Sequence, residues 1–177
     1  MKKPAAAALS ALMLGLFSAP VLSASTAEAA EAPAAPAAQA DAGRQLWITS
    51  GFLSYHTRHA DRYRSANTGI GAEWHLSERW QLNAGHYTNS VNGSSNYLQA
   101  GWAPLGMQLG ANTRLRLGAS LGVVNGYKSV RDGGYFPTLV PMLAIEHRRV
   151  GVNLVYIPSL DDRVDGALAV QFKARLF

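Results

Sequence analysis

Apolar and polar residues alternate with a period of two along several segments of this chain. The clearest segment spans residues 114–124, where arginine, glycine and serine separate the apolar positions Leu115, Leu117, Ala119, Leu121 and Val123. Residues 138–147, 150–158 and 166–176 repeat the pattern, with Val150, Val152, Leu154 and Tyr156 on one face of the second of these. Successive side chains of a strand point to opposite faces, so this alternation predicts strands with two different environments.

Eight such segments follow one another between turn residues. They cover 46–56, 68–75, 80–88, 97–102, 114–124, 138–147, 150–158 and 166–176. No stretch after residue 43 has the roughly 20 apolar residues of a transmembrane helix. An even number of period-two strands of about ten residues is typical of outer-membrane barrels. We therefore predict an all-β fold, an eight-stranded antiparallel transmembrane β-barrel over residues 44–177.

The connections between these segments alternate in length. Residues 76–79 and 148–149 make short turns, whereas 57–67, 89–96, 125–137 and 159–165 are longer and polar. Short periplasmic turns and long outer loops are expected when both termini lie in the periplasm. The third turn, around residues 104–112, is longer than this pattern predicts.

The N-terminal part has the features of an export signal. Lys2 and Lys3 precede an apolar stretch over residues 5–22, and small residues follow. This order predicts a signal peptide over 1–24, with cleavage as late as residue 29. Residues 25–43 are rich in Ala and Pro and predict a disordered spacer. Export and a barrel together predict the outer membrane of a Gram-negative bacterium.

Composition narrows the possible functions. The 177 residues include no cysteine, which excludes disulfides, thiolate metal sites and a thiol nucleophile. The net charge of +5 comes from scattered residues, so a nucleic-acid site is not expected. Attraction to phosphate-bearing lipid headgroups is the more specific interpretation of that charge.

Aromatic residues mark the expected membrane boundaries. Four tryptophans fall at the predicted periplasmic strand ends: Trp47, Trp74, Trp80 and Trp102. Four tyrosines fall at the outer ends: Tyr55, Tyr87, Tyr97 and Tyr156. Amphipathic rings favour membrane interfaces. If Trp47 and Tyr55 face lipid, alternation places the next side chain, His56, in the lumen.

A histidine and a serine are the candidates for chemistry at the outer rim. His56 ends the first segment, and Asn89 and Ser90 end the third. A histidine beside a serine can act as a general base with its partner. Histidine and serine residues at loop edges are usually solvated polar groups, so the pattern alone favours that interpretation over catalysis.

From His56 onward the chain resembles the lipid A palmitoyltransferase (PagP) family. The resemblance rests on the order and spacing of several short matches: Tyr55-His56-Thr57-Arg58, Asp61-Arg62-Tyr63, Asn89-Ser90, Gly101-Trp102, Pro137-Thr138-Leu139-Val140-Pro141 and Tyr156-Ile157-Pro158. It implies transfer of a palmitoyl chain from a glycerophospholipid donor to a hydroxyl of lipid A. It also implies a membrane-embedded monomer that needs no metal, nucleotide or other cofactor.

The resemblance assigns roles to six residues. It implies that His56 is the general base and that Asn89 and Ser90 orient the acceptor or polarise the donor ester. Gly101 lies at the family's acyl pocket, where a missing side chain leaves room at the floor. Pro141 and Pro158 lie on adjacent strands, where each removes a backbone donor, and they are expected to form a lateral gate for the lipid tail.

The departures from the family leave alternatives open. Asn89 stands where the family has an aspartate, and an amide cannot act as a carboxylate base. The first outer loop is shorter, and the Ala/Pro-rich spacer offers no amphipathic N-terminal helix. A non-enzymatic structural or adhesive barrel is one alternative. A lipid A deacylase is another, although it requires a serine where Arg58 stands.

Overall fold

A computed structural model describes residues 44–159 and 165–177 of the chain. The predicted signal peptide and spacer lie outside these residues. The strands are β1 (Gln45–His56), β2 (Ala66–His75), β3 (Trp80–Thr88), β4 (Ser94–Leu109), β5 (Thr113–Val124), β6 (Phe136–His147), β7 (Val150–Ile157) and β8 (Ala167–Arg175). Short 3₁₀ turns, Ala60–Arg62 and Arg131–Gly133, lie in the first and third outer loops.

The eight strands form a closed antiparallel barrel. Each strand pairs with its neighbour in the sequence, and β8 pairs with β1 to close the cylinder. The predicted fold and all eight predicted strands are confirmed. The largest difference is β4, which continues past Pro104 because a bulge lies between Trp102 and Leu105. The third turn is therefore short, and the unusually long connection predicted there was wrong.

The barrel is polar inside and apolar outside. Leu98, Leu121 and Phe172 are among the large apolar side chains exposed on the outer surface. Charged side chains such as Arg116 and Lys173 are buried in the lumen. This distribution is typical of a barrel surrounded by lipid, because the strands satisfy their own backbone groups and turn apolar residues outward. Among the described residues, no helix is long and apolar enough to span a membrane.

A bulge at Gly51 reverses the facing of side chains along β1. The pairing of β1 with both neighbours shifts between Thr49 and Phe52. A Cβ at Gly51 would lie 2.5 Å from the backbone nitrogen of Gly69, so no larger residue fits there. Such an insertion changes which face later residues occupy.

The condition that Trp47 and Tyr55 both face lipid is not met, for this reason. Trp47 is 0% exposed and lies in the lumen, whereas Tyr55, beyond the bulge, is 68% exposed on the outer surface. His56 nevertheless faces the lumen as predicted, because its position relative to Tyr55 is unaffected by the bulge.

The remaining tryptophans form the expected aromatic girdle. Trp74, Trp80 and Trp102 are each about half exposed, and the rings of Trp80 and Trp102 lie 6.2 Å apart across paired strands. At the opposite end Tyr156 also faces outward. Tyr87 and Tyr97 instead turn into the lumen, where they contribute to the cavity described below.

Candidate active site

The half of the lumen near the short turns is filled by a buried ionic network. The Lys173 ammonium lies 2.5 Å from a carboxylate oxygen of Glu73 and 2.8 Å from one of Glu146. His75 contacts Glu73 at 2.6 Å, and Arg116 lies 3.0 Å from His75 and 3.5 Å from Glu146. The ammonium of Lys173 also lies 4.8 Å from the Trp47 ring centroid. Buried charges are tolerated when they are paired in this way.

Glu73, His75 and Glu146 have the spacing of a metal site, because their ligand atoms lie within 4.8 Å of one another. The chemistry of their surroundings does not fit a metal cation. Lys173 contacts both carboxylates, and Arg116, which contacts Glu146 and the same histidine, supplies the second positive charge that balances them. We therefore assign this cluster to the structure of the barrel.

A layer of uncharged polar side chains lies above the network. The Tyr97 hydroxyl accepts a hydrogen bond from Gln171 at 3.1 Å and lies 3.5 Å from the Thr49 hydroxyl. Gln99 accepts from Ser120 at 3.0 Å and donates to Thr138 at 3.2 Å. The bonds of Tyr97 cross the lumen from β4 to β8 and β1, whereas those of Gln99 link β4 to β5 and β6. This layer separates the ionic network from the outer half.

The outer half contains a cavity of about 240 Å³. Much of its lining is apolar or aromatic, from residues that include Phe52, Tyr87, Val124, Phe136, Val140, Val155 and Ile157. Phe52 packs edge-on against Tyr87, with ring centroids 5.0 Å apart. Burial raises the pKa of the Tyr127 hydroxyl in the third outer loop, so this group stays protonated. The cavity is suited to an aliphatic chain, with polar groups concentrated near the loops.

His56 lines this cavity near its outer end. Its ring stacks on Tyr63 from the first outer loop, with centroids 3.9 Å apart and an interplanar angle of 15°. Both ring nitrogens are buried, and neither has a hydrogen-bond partner among the described residues. A buried polar group without a partner is unfavourable unless a ligand satisfies it, which makes His56 the leading candidate for substrate contact.

Ser90 lines the same cavity, as predicted, but Asn89 does not. The Asn89 amide donates to the Ser95 hydroxyl at 2.9 Å and to the Gly126 carbonyl at 3.0 Å. Its oxygen accepts from the backbone of Val91 and Gly93 at 3.1 and 2.7 Å.

These four bonds occupy the hydrogen-bonding groups of the amide. The predicted catalytic role of Asn89 therefore finds no support in this geometry. Asn89 holds the second outer loop in shape and so fixes the position of Ser90. The Ser90 carbonyl also accepts a 2.8 Å bond from the Arg64 backbone, which ties this loop to the first one.

Asp165, in the fourth outer loop, is the carboxylate among the described lining residues. It accepts hydrogen bonds from the Tyr63 hydroxyl at 2.9 Å and from His59 at 3.0 Å. The hydrogen bonds from His59 and then Tyr63 hold the pKa of the Asp165 carboxyl below its usual range, so the group is ionised at neutral pH. Burial and the bond to Asp165 raise the pKa of Tyr63, which keeps its hydroxyl as a donor.

Gly101 faces the lumen as predicted, but it does not line the cavity. A Cβ at this position would lie 2.7 Å from the Gln81 side chain, which in turn accepts a 2.8 Å bond from Arg116. The missing side chain therefore makes room for the ionic network. The described lining reaches down to Tyr97 and Gln99 instead.

Pro141 and Pro158 flank an interrupted seam between β6 and β7. The pairing of these strands runs from His147 with Val150 to Met142 with Val155 and ends beside Pro141. Above this point the outer part of β6 pairs with β5 alone, through residue 136. The end of β7 pairs with β8 alone, and Pro158 directly follows it.

Residues that line the cavity lie on both sides of this unpaired stretch, namely Thr138 and Val140 on β6 and Val155 and Ile157 on β7. A proline has no N–H to extend the ladder. The two prolines therefore lie beside the stretch where β6 and β7 are not paired.

Tyr63 and Asp165 are the site residues that the sequence did not single out. The position of Asp165 could have been predicted from the barrel topology. β8 closes the barrel against β1, so the residues just before β8 lie beside those at the end of β1. The register confirms this, since His56 pairs with Ala167. The stacking of Tyr63 on His56 depends on the path of an irregular loop, which period-two patterns do not describe.

Comparisons with known proteins add little to this picture. No family model and no curated protein matches the chain. A solved structure described as de novo design of transmembrane β-barrels is 13% identical, covers 75% of this chain and 95% of its own, and has a TM-score of 0.49. The solution NMR structure of the de novo designed TMB2.3 is 13% identical, with 77% and 98% coverage and a TM-score of 0.45. Neither likeness carries an argument, and the fold rests on the strand pairing described above.

Proposed function

We propose that this chain is an outer-membrane acyltransferase that moves a palmitoyl chain from a glycerophospholipid to lipid A. One observation carries the proposal: His56, a half-buried histidine whose ring nitrogens are buried without a hydrogen-bond partner among the described residues, shares a largely apolar cavity with Ser90. An acyl chain needs the apolar lining, and acyl transfer needs a base beside the ester at its end. The apolar outer surface supports membrane insertion, and the predicted signal peptide supports export.

The chemistry follows from the position of His56 at the mouth of the cavity. One acyl chain of the donor enters the cavity, so its ester lies near the rim. His56 removes the proton from the acceptor hydroxyl, whose oxygen attacks the ester carbonyl carbon. The tetrahedral intermediate collapses by breaking the bond to the glycerol oxygen, which takes the proton back from the imidazolium. Ser90 donates a hydrogen bond to the ester or acceptor oxygen.

The seam between β6 and β7 offers the route by which the chain enters. Its unpaired outer part connects the lipid-facing surface with the residues that line the cavity. A donor lipid can then move sideways without leaving the membrane. The depth of the cavity is expected to depend on Tyr97 and Gln99, and less on Gly101, which lies against Gln81.

The proposal is tested by the mass of lipid A after expression in a strain that lacks palmitoyl transfer. We expect the wild-type protein to add one palmitoyl group and His56→Ala to add none, because no other described residue of the cavity replaces the base. His86→Ala is the matched control, since His86 faces outward on β3. It should retain full transfer.

Two other outcomes favour other functions. No added mass with correctly inserted wild-type protein favours a structural or adhesive barrel. The loss of an acyl chain from lipid A instead favours a deacylase.

A further inference from the structure

The proposed transfer leaves a positive charge on His56 that the predicted catalytic set does not balance. When the imidazole takes the acceptor proton, a nearby carboxylate would stabilise the resulting cation. Asn89 is neutral, and its amide is held within its own loop. A charged partner for His56 therefore has to come from another element.

The register of the barrel brings the fourth outer loop beside His56. His56 pairs with Ala167 across the seam that closes the barrel. The next residue, Thr57, donates two hydrogen bonds to the Gly166 carbonyl, from its backbone at 2.8 Å and from its hydroxyl at 3.1 Å. Asp165 is the residue directly before this anchor, so its backbone is fixed next to the rim that carries His56.

The side chain of Asp165 is directed toward the same place. It accepts the bond from Tyr63, whose ring lies flat on His56. It also lines the cavity and interacts electrostatically with the imidazole. Asp165 thus acts on His56 through its charge, through its nearby backbone and through the stacked ring of Tyr63.

We propose that Asp165 is the acidic positioning residue of the transfer, orienting His56 through Tyr63 and stabilising the imidazolium by its charge. This inference rests on the proposed function. It supplies from the fourth loop the carboxylate that Asn89 lacks in the second. Asp165 takes no proton in the step, because the proton passes from the acceptor hydroxyl to His56 and then to the departing glycerol oxygen.

The other titratable groups near His56 do not offer this charge. Within the described part of the cavity lining, they are the phenols of Tyr63, Tyr87, Tyr97 and Tyr127, which are neutral donors. His59 and Arg58, in the first outer loop, interact with Asp165 itself. The positive charge of Arg58 would oppose a second proton on His56, so the carboxylate is the group on this rim that favours the cation.

The test compares Asp165→Asn with wild type in detergent micelles, using a labelled dipalmitoyl glycerophospholipid as donor and lipid A as acceptor. We expect kcat to fall by roughly 10- to 100-fold with little change in KM, since the substrate contacts remain. The acidic limb of the pH–rate profile should move to lower pH, because the variant imidazole loses a stabilising negative charge. Asp165→Glu, which keeps the charge, should restore part of the rate.

Two variants separate charge from structure. Tyr63→Phe removes the bond to Asp165 but keeps the stacked ring, so we expect a several-fold fall in kcat with the acidic limb in place. Asp61→Asn changes an exposed carboxylate in the same first loop and should have no effect.

An Asp165→Asn protein with normal kcat and an unmoved pH profile overturns the inference and leaves the proposed function intact. A lower kcat with an unmoved acidic limb also overturns it, because that result indicates structural damage. If the wild-type protein transfers no palmitate at any pH, both the inference and the proposed function fail.

Discussion

Below the layer of Tyr97 and Gln99, the lumen is crossed by paired charges, and above it the lumen holds an apolar cavity with a histidine that has no partner. In the lower half Lys173 and Glu73 are both 0% exposed, yet each meets an opposite charge. In the upper half the nitrogens of His56 are also buried, but the described residues offer them no hydrogen bond. Buried titratable atoms are therefore paired in the lower half and left without a hydrogen bond at His56 in the upper half.

The difference indicates that the lower half of the barrel stabilises the fold and that the upper half holds the candidate site. Backbone ladders hold neighbouring strands together, and the lower half adds side-chain bonds that cross the lumen between β2, β5, β6, β7 and β8. The upper half is then free to keep an open cavity and an interrupted strand pair. Active sites commonly carry such unsatisfied groups, while the scaffold supplies the stability.

Lys173→Met is expected to give the largest effect, and the effect should fall on stability. The change leaves Glu73 and Glu146 buried without their shared ammonium. Removing one partner of a buried ion pair costs about 3–5 kcal/mol. We expect the free energy of unfolding in detergent micelles, measured by guanidinium titration, to fall by about that amount, while the folded fraction keeps its palmitoyl transfer.

Lys128→Met is the matched control, because Lys128 is exposed in the third outer loop. Its free energy of unfolding should change by less than about 0.5 kcal/mol. If Lys173→Met unfolded at the same denaturant concentration as the wild-type protein, the ionic network would not stabilise the barrel. That result would contradict the assignment of stability to the lower half.

Asn89→Asp is expected to give an intermediate effect, located in the upper half. The variant places a carboxylate oxygen where the amide now donates to the Gly126 carbonyl and to Ser95. Leaving such groups without a donor costs about 1–3 kcal/mol. We expect the second outer loop to open and palmitoyl transfer to fall by about tenfold or more, with Ser90 displaced.

Asn92→Asp provides the control, since Asn92 is exposed three residues further along the same loop. It introduces the same charge without opposing a carbonyl and should leave the transfer rate unchanged. A faster transfer by Asn89→Asp would contradict our assignment, because it would mean that position 89 contacts the reacting groups.

The fold could be predicted from the sequence because the barrel repeats one simple rule. Alternation of apolar and polar residues located all eight strands, since each strand separates lipid from lumen. The rule failed where the backbone departs from regular geometry. The bulge at Gly51 turned Trp47 into the lumen, and the bulge after Trp102 carried β4 past Pro104. Neither insertion changes the composition of its strand, so neither is visible in the pattern.

The site was only partly predictable, for a related reason. His56 and Ser90 lie at strand ends, where alternation and topology determine their location. The loop residues Tyr63 and Asp165 depend on backbone bonds such as those from Thr57 to Gly166. The bonds that the Asn89 amide makes within its own loop could not be predicted, because a residue type does not show whether its amide faces the cavity or its own loop.

Pro141→Ala is expected to give the smallest effect, on the route into the cavity. The variant restores a backbone N–H at the point where pairing of β6 with β7 ends. One added hydrogen bond is worth about 0.5–1.5 kcal/mol, so we expect transfer to slow by roughly two- to tenfold. Hydrogen exchange should show greater protection of the amides at the outer end of β7.

Pro137→Ala tests whether the position matters or merely the loss of a proline. Pro137 lies further out on the same strand, opposite Val123 of β5, and also faces outward. It is not adjacent to the last β6–β7 pair, so a single restored N–H there cannot lengthen the ladder by one step. If both variants slowed transfer equally, strand stiffness and not the seam beside Pro141 would control entry. Pro141→Ala could instead increase the protection of β7 without slowing transfer. The lipid tail would then have to enter through the open outer mouth. The wall of the barrel would in that case exclude lipid in its upper half as it does in its lower half.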